Sequence, residues 1–334
     1  MLTLTKNNLK LNKVRINKQG YWHRVGQKLK KYGSIYWFVL PAAFLALLFG
    51  YIPLVFLIAA FKDNVLFGIY GPFAIFTTGQ FTFQHFIDIF TTRSDQFFTA
   101  LGNTLIINIS KLIFIFPIPI ILAICLSEVK SSFLAKVFLI ILCLPNFLSW
   151  PTVIGIWHNF FRLQDGVINN LFGTQINFFD YNLFGNGSNL FRFFVIFFDG
   201  WKGVGWNSIM FYTAIMSIDK SYYEAAELDG ASKIQQITHL TLPSIFPIIA
   251  LMFIMNITYI LSCGFEQINL IANWNPDFIE NETTLDYYLY YVSLTNAGNY
   301  SFGTALGLFN STISLVFMLV GNKICRKFLN RGLW

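Results

Sequence analysis

From Tyr36 to Phe61 the chain reads YWFVLPAAFLALLFGYIPLVFLIAAF, without one charged residue. A helix needs about 20 mostly apolar residues to cross a bilayer. Five further runs meet that length: Leu101–Leu126, Phe133–Trp157, Phe193–Ile218, a run from near Pro243 to Cys263, and Phe302–Asn322. In hydrocarbon every backbone amide must be satisfied within the protein, which leaves the helix as the form for runs of this length. The pattern therefore predicts an all-α integral membrane protein with six spans. An ordinary soluble domain carries about a quarter charged residues, and this chain has 12%. The first run is too long for a cleavable leader and has no clean small-x-small site after it, so it reads as an uncleaved span.

Charge orients the spans. Lys6, Lys10, Lys13, Arg15, Lys18, Arg24, Lys28, Lys30 and Lys31 precede the first run, and no acid does. Lys130, Lys136, Lys220, Lys233, Lys323, Arg326, Lys327 and Arg331 fall on the same side of a six-span arrangement, whereas Gly264–Tyr300 holds five acids and no Lys or Arg. Basic residues mark the cytoplasmic side, so both termini are expected there. The division is a basic arm over 1–33 and a six-span domain over 34–334, with a polar cytoplasmic loop at 219–243. The net charge of +7 thus reads as a topology signal that also suits anionic lipid headgroups, with no nucleic-acid partner.

The sequence lacks the motifs of several chemistries. No G-x-x-x-x-G-K-[ST] phosphate loop is present, so no ATP site is expected on this chain. His23, His85, His158 and His239 are scattered, and Cys125, Cys143, Cys263 and Cys325 have no metal-ligand spacing. No catalytic residue, metal or cofactor is assigned.

The 219–243 loop is the most ordered polar stretch. Tyr223, Glu224, Ala225, Ala226 and Glu227 favour a helix, and Asp229-Gly230 a sharp turn, since glycine accepts a positive φ. A second short helix is expected from Ser232, with Ile234, Ile237 and Leu240 on one face. Leu242-Pro243 would then open the fifth span. A compact knob of this kind fits a groove on another protein.

Here the sequence resembles a known family. Glu224-Ala225-Ala226, Gly230 at the sixth position after Glu224, and Leu242-Pro243 look like the cytoplasmic EAA signature of permease subunits of bacterial ABC importers. Leu240 stands where that signature usually has Ile. The likeness continues in FKDN at Phe61, GNTLIIN at Gly102, FPIPIILAICLSEV at Phe116, LPNFLSW at Leu144, WKGVGW at Trp201, GFEQI at Gly264 and RGLW at the end. These are similar to one branch of the carbohydrate importers, that of the large-oligosaccharide and polyuronate permeases, and they cover nearly all the chain from Tyr36 on. The resemblance implies a type I importer permease in the bacterial plasma membrane. Its partners would be a second permease, two ATP-binding-cassette subunits holding ATP and Mg²⁺, and an extracytoplasmic sugar-binding protein, with an oligosaccharide as substrate. The loop would be the coupling helix. Glu224 would meet a basic residue of the ATPase, and Ala225 and Ala226 would allow close approach.

Polar residues inside the spans are candidates for the pathway. Trp201 and Trp206 beside Asn207 combine ring faces with hydrogen-bonding groups, the chemistry of a sugar site. Asp199 and Lys202, three apart, are expected to neutralise each other on one helix face, and Lys111 to line the pathway or to pair across a subunit or helix interface. Asn256, Tyr259, Cys263 and Glu266 recur on one face of a continuous helix, with Gln267 adjacent; this stripe would line the pathway or contact the second permease. Two other classes remain open from the residues alone. An ion-coupled secondary transporter would show inverted repeats and midplane ion ligands, and a membrane glycosyltransferase a carboxylate cluster at the cytoplasmic face.

Overall fold

A computed structural model describes residues 32–63, 65, 70–178, 187–274, 283–295 and 299–329. Residues 1–31 of the basic arm, the acids Asp277, Glu280 and Glu282, and the final RGLW lie outside these residues. The chain divides into two compact units, 1–58 and 59–334.

The first unit's described part is helix α1, Gly33–Ala46, a π-turn (Leu47–Tyr51) and most of a 3-10 segment, Ile52–Phe61, whose last three residues fall in the second unit. Phe38 is 83% exposed and most of α1 is exposed with it. In water such a helix would be a liability; in lipid an apolar exterior is the ordinary state.

In the second unit, β1 (Lys62–Asp63) and β2 (Gln80–Phe81) make a two-residue antiparallel ladder, with α2 (Ala74–Thr77) between them and α3 (Gln84–Phe90) after. α4 (Ser94–Ser110) runs through a π-turn, Lys111–Ile115, into α5 (Pro117–Ser127). α6 (Ser132–Cys143) and a 3-10 turn, Leu144–Phe147, lead to α7 (Trp150–Phe161) and α8 (Val167–Phe172). α9 is Gly187–Met216, and α10 is Lys220–Leu228. α11 (Lys233–Gln236), a π-turn (Ile237–Thr241) and α12 (Leu242–Thr258) follow one another without a break. α13 (Phe265–Ala272), α14 (Leu285–Tyr290) and α15 (Tyr300–Leu329) complete the order.

Among the described residues, four helical stretches are long and apolar enough to cross a membrane: Gly33–Phe61, Ser94–Ser127, Lys233–Thr258 and Tyr300–Lys327. The third predicted span is not one straight helix. Ser132–Phe147 and Trp150–Phe161 meet at 98°, because Pro151 in the first turn of α7 supplies no amide hydrogen and Leu148 and Ser149 are extended. α9 holds the fourth predicted span but is not among the stretches apolar enough to cross by composition alone. Its 30 residues reach about 45 Å, and its charges, Arg192, Asp199 and Lys202, hold its hydropathy down. The fifth span departs in the other direction. It begins at Lys233, ten residues before the expected Pro243, and the second helix of the polar loop is its first turn.

α9 is the hub, packing on α4, α5, α6, α7, α12 and α13. Phe191, Phe194, Val195 and Phe198 recur at helical spacing and are buried with Val153, Ile154 and Ile271. Trp157 stacks on both Phe161 and Phe198. At the other end of α9, Phe211, Tyr212 and Ile215 are buried against Ala123, Ala135 and Ile245. Gly205 sits where α9 crosses the end of α6, and a Cβ there would fall on the Leu142 carbonyl. Small residues let membrane helices approach closely, and that close packing holds them together where lipid is as apolar as the protein.

Candidate functional site: a polar cavity and the 219–243 loop

Two regions carry the candidate residues. In the loop, Asp219 caps α10 by accepting the Ser221 amide at 2.9 Å. Hydrogen bonds from Ser221 hold its carboxyl below the usual carboxylate range, so this cap is present above the ordinary Asp pKa and is lost as pH falls through the lowered value. α10 ends in a Schellman motif: Ala231 N–H donates to Ala226 O at 2.9 Å and Gly230 N–H to Glu227 O at 3.0 Å. Gly230 has φ +77°, a conformation that costs a side-chain-bearing residue about 1–2 kcal/mol. Ser232 and Gln235 form a reciprocal capping box that starts α11. Tyr223 Oη meets Thr241 Oγ1 at 2.9 Å, and Gln236 Nε2 donates to Ala231 O. Lys233 reaches Glu128, at the end of α5, at 3.9 Å.

The two helices thus form a fixed corner. Leu228 is 90% exposed and Ile234 73%, beside exposed Glu224, Ala225, Glu227 and Asp229. Ala226, Ile237, Leu240 and Leu242 are half-buried, and Pro243 is exposed in the first turn of α12. A concavity of about 490 Å³ opens among Ala226, Asp229, Gly230, Gln235, His239 and Leu240.

The second region is a cavity of about 390 Å³ in the second unit. Asn207, Asn256, Tyr259 and Gln267 lie in its wall, with Asn108, Lys111, Trp150 and Asp199. Lys111 Nζ pairs with Asp199 at 3.2 Å. The expected Asp199–Lys202 pair is therefore replaced: Lys202 turns to the break in the third span, donating to Asn146 O at 2.9 Å and to Leu148 O, over the Trp150 ring. The bend strips carbonyls of their helical partners, and a half-buried ammonium with three donors can serve them.

The expected continuous stripe on span five is also interrupted. α12 ends at Thr258, Tyr259–Leu261 turn, and Gly264 (φ +85°) precedes α13. Asn256 and Tyr259 end one helix and Gln267 begins the next, and both ends reach the cavity. Gln267 is fully buried. Its Nε2 donates to Val195 O at 2.7 Å, while its Oε1 has no partner. Glu266 is exposed and outside the cavity wall. Trp201 packs in the aromatic core, and Trp206, half-exposed, meets Phe147 edge-on. The cavity's indole is Trp150, which the sequence reading passed over. Its adjacency to Pro151 in an apolar run was the available signal for a bend lined by an aromatic ring.

A model for the binding-protein-dependent transport system inner membrane component matches residues 115–329. The chain belongs to that family. It is 33% identical to protein LplB of Bacillus subtilis (strain 168) over 311 residues, 92% of each chain. The polygalacturonan/rhamnogalacturonan transport system permease YteP of the same organism is 32% identical over 313 residues, again 92% of each. A bacterial ABC transporter involved in the import of the acidic polysaccharide alginate superposes with TM-score 0.77 at 32% identity, covering 91% of this chain and 99% of that one. A second alginate transporter structure, in complex with an alginate pentasaccharide-bound periplasmic protein, gives TM-score 0.77 at 33% identity, covering 93% and 100%. The all-α importer permease fold and the place in a multi-pass membrane transport system follow.

Proposed function

We propose that the chain is one permease of an ATP-driven oligosaccharide importer and forms half of its translocation pathway. The observation that carries this reading is the cavity. Trp150 and Tyr259 offer ring faces, which suit the C–H faces of sugar rings, and Asn108, Asn207, Asn256 and Gln267 offer amides for hydroxyls. The orphan Gln267 Oε1 is an acceptor in need of a donor. The carbohydrate importers among its relatives support the substrate class.

The remaining parts of the importer follow. A second permease completes the pathway, two ATPase subunits bind ATP and Mg²⁺, and an extracytoplasmic sugar-binding protein delivers the oligosaccharide. Both termini and the 219–243 loop face the cytoplasm, as the basic residues require. The corner at Glu224–Pro243 docks in an ATPase groove, with exposed Leu228 and Ile234 as apolar contacts and Glu224 toward a basic residue. Closure of the ATPase pair moves this corner and shifts the spans between inward- and outward-open states.

The test is uptake of an oligosaccharide panel into proteoliposomes holding the assembled complex and its binding protein. Uptake that requires ATP inside supports the reading. Uptake driven by a proton or sodium gradient without ATP would place the chain among the secondary transporters.

A further inference from the structure

The interruption of the fifth span at Tyr259–Gly264 leaves backbone groups exposed inside the protein. Such a break persists only where side chains supply new partners. Asn108 of α4 serves the carbonyls: its Nδ2 lies 2.8 Å from Ile260 O and 3.2 Å from Ser262 O. The amides are served by one oxygen of α14. Asp286 Oδ2 accepts from Cys263 N at 2.8 Å, Gly264 N at 3.1 Å and Ser262 Oγ at 2.9 Å.

Asp286 acts from a fixed base. The preceding residue, Leu285, is buried and donates its amide to Thr104 Oγ1 at 2.9 Å, and Asn103 Nδ2 donates to Thr283 O at 3.1 Å. α14 is thereby fastened to α4, and the carboxylate reaches from that platform to the break. What it holds is cavity wall: Tyr259, Ile260, Ser262, Cys263 and Gly264 all line the cavity.

We propose that Asp286 is a positioning residue: its carboxylate clamps the α12–α13 interruption in the shape that forms one side of the cavity. The consequence for transport rests on the pathway reading above; the clamp itself does not. Charged acceptors make hydrogen bonds roughly twice as strong as neutral ones, which suits one oxygen gathering three donors. Asparagine keeps an acceptor oxygen without the charge, and alanine removes it.

Cys263 is a native reporter, since its amide is one of the three donors and its side chain is 4% exposed. The experiment labels the assembled complex with N-ethylmaleimide and reads each cysteine by mass spectrometry. In the native protein Cys125, which is exposed, is expected to react, and Cys143, Cys263 and Cys325, which are buried, to stay protected. Asp286→Ala is expected to speed labelling of Cys263 by about tenfold, through local opening, with Cys143 and Cys325 still protected. Asp286→Asn should stay within about twofold of native labelling, because an uncharged acceptor retains most of the geometry. Cys263 unmoved in Asp286→Ala, or Asn no better than Ala, overturns the clamp. Should Asp286→Ala expose all three buried cysteines, Ser262→Ala, which removes a single donor, carries the test: faster labelling of Cys263 alone supports the clamp and native labelling overturns it. Sugar uptake by Asp286→Ala is then read separately. A rise in KM at unchanged kcat joins the clamp to the pathway, whereas shifted Cys263 labelling with unchanged KM keeps the clamp and rejects the cavity as the sugar route.

Discussion

The 219–243 loop and the cavity are both polar constructions in an apolar chain, but they are held by different means. The loop's shape is local. Its caps and turn bonds join residues within six of each other, as in Ala231 to Ala226 and Ser232 with Gln235. The cavity's wall is held from afar. Asn108 bonds a residue 152 positions away, and the amide of Leu285 bonds Thr104 across 181. The loop exposes what it is made of, while the cavity region depends on helices approaching within a methyl group. Substitutions in the loop should therefore alter what the chain does to partners and leave its stability intact. Substitutions around the cavity should alter stability, affinity or both.

The largest effect that tests this contrast belongs to Gly205. Gly205→Ala places a methyl group on the Leu142 carbonyl, and overpacking against backbone costs about 1–3 kcal/mol or more. Yield of monodisperse complex and its melting temperature should fall sharply. A native melting curve would mean that α9 and α6 do not pack as described.

Lys111→Met should come next. It leaves Asp199 facing the cavity without its cation, and truncating one partner of a buried pair costs about 3–5 kcal/mol. Asp199 is 40% exposed, so screening should bring the loss to about half of that or less. The double variant Lys111→Met/Asp199→Leu should recover most of it, measured as thermal stability in the same detergent. A double variant weaker than the single would show that the pair is not the reason for the loss.

Smaller still is Asn256→Ala. It should leave melting unchanged and weaken apparent sugar affinity by about five- to a hundredfold, the worth of a buried hydrogen bond of about 1–3 kcal/mol. Native affinity would remove Asn256 from the pathway. The smallest effect is expected at Glu266, which the structure puts outside the cavity wall. Glu266→Gln should leave the ratio of acidic to neutral oligosaccharide uptake as it is, and a changed ratio would bring Glu266 back to the sugar route.

What the sequence disclosed follows the same division between near and far. The turn at Gly230 was readable because the residues that demand it are neighbours, and the structure gives it a positive φ. The apolar runs told of helices for the same reason. Their interruptions were not readable: Asn256, Tyr259 and Glu266 keep helical spacing in the sequence although the helix ends at Thr258. The break is stabilised by Asn108 and Asp286, which lie far away along the chain, and no local pattern announces them. Lys202 illustrates the point again. Its spacing from Asp199 suggested an ion pair, but the bend beyond Leu144 offered unpartnered carbonyls, and Lys111 took the acid.

In the proposed mechanism a corner built around Gly230 transmits ATPase motion to a cavity that carries sugar. It is tested most directly in Gly230→Val, which forces a β-branched residue into a left-handed conformation at a site with open space around it. Uptake and ATP hydrolysis are measured together in proteoliposomes holding the native or variant complex. The variant is expected to insert, assemble and melt within a few degrees of native, yet to import no sugar and show no sugar-stimulated hydrolysis. Import at the native rate, with hydrolysis still rising on addition of loaded binding protein, would contradict it.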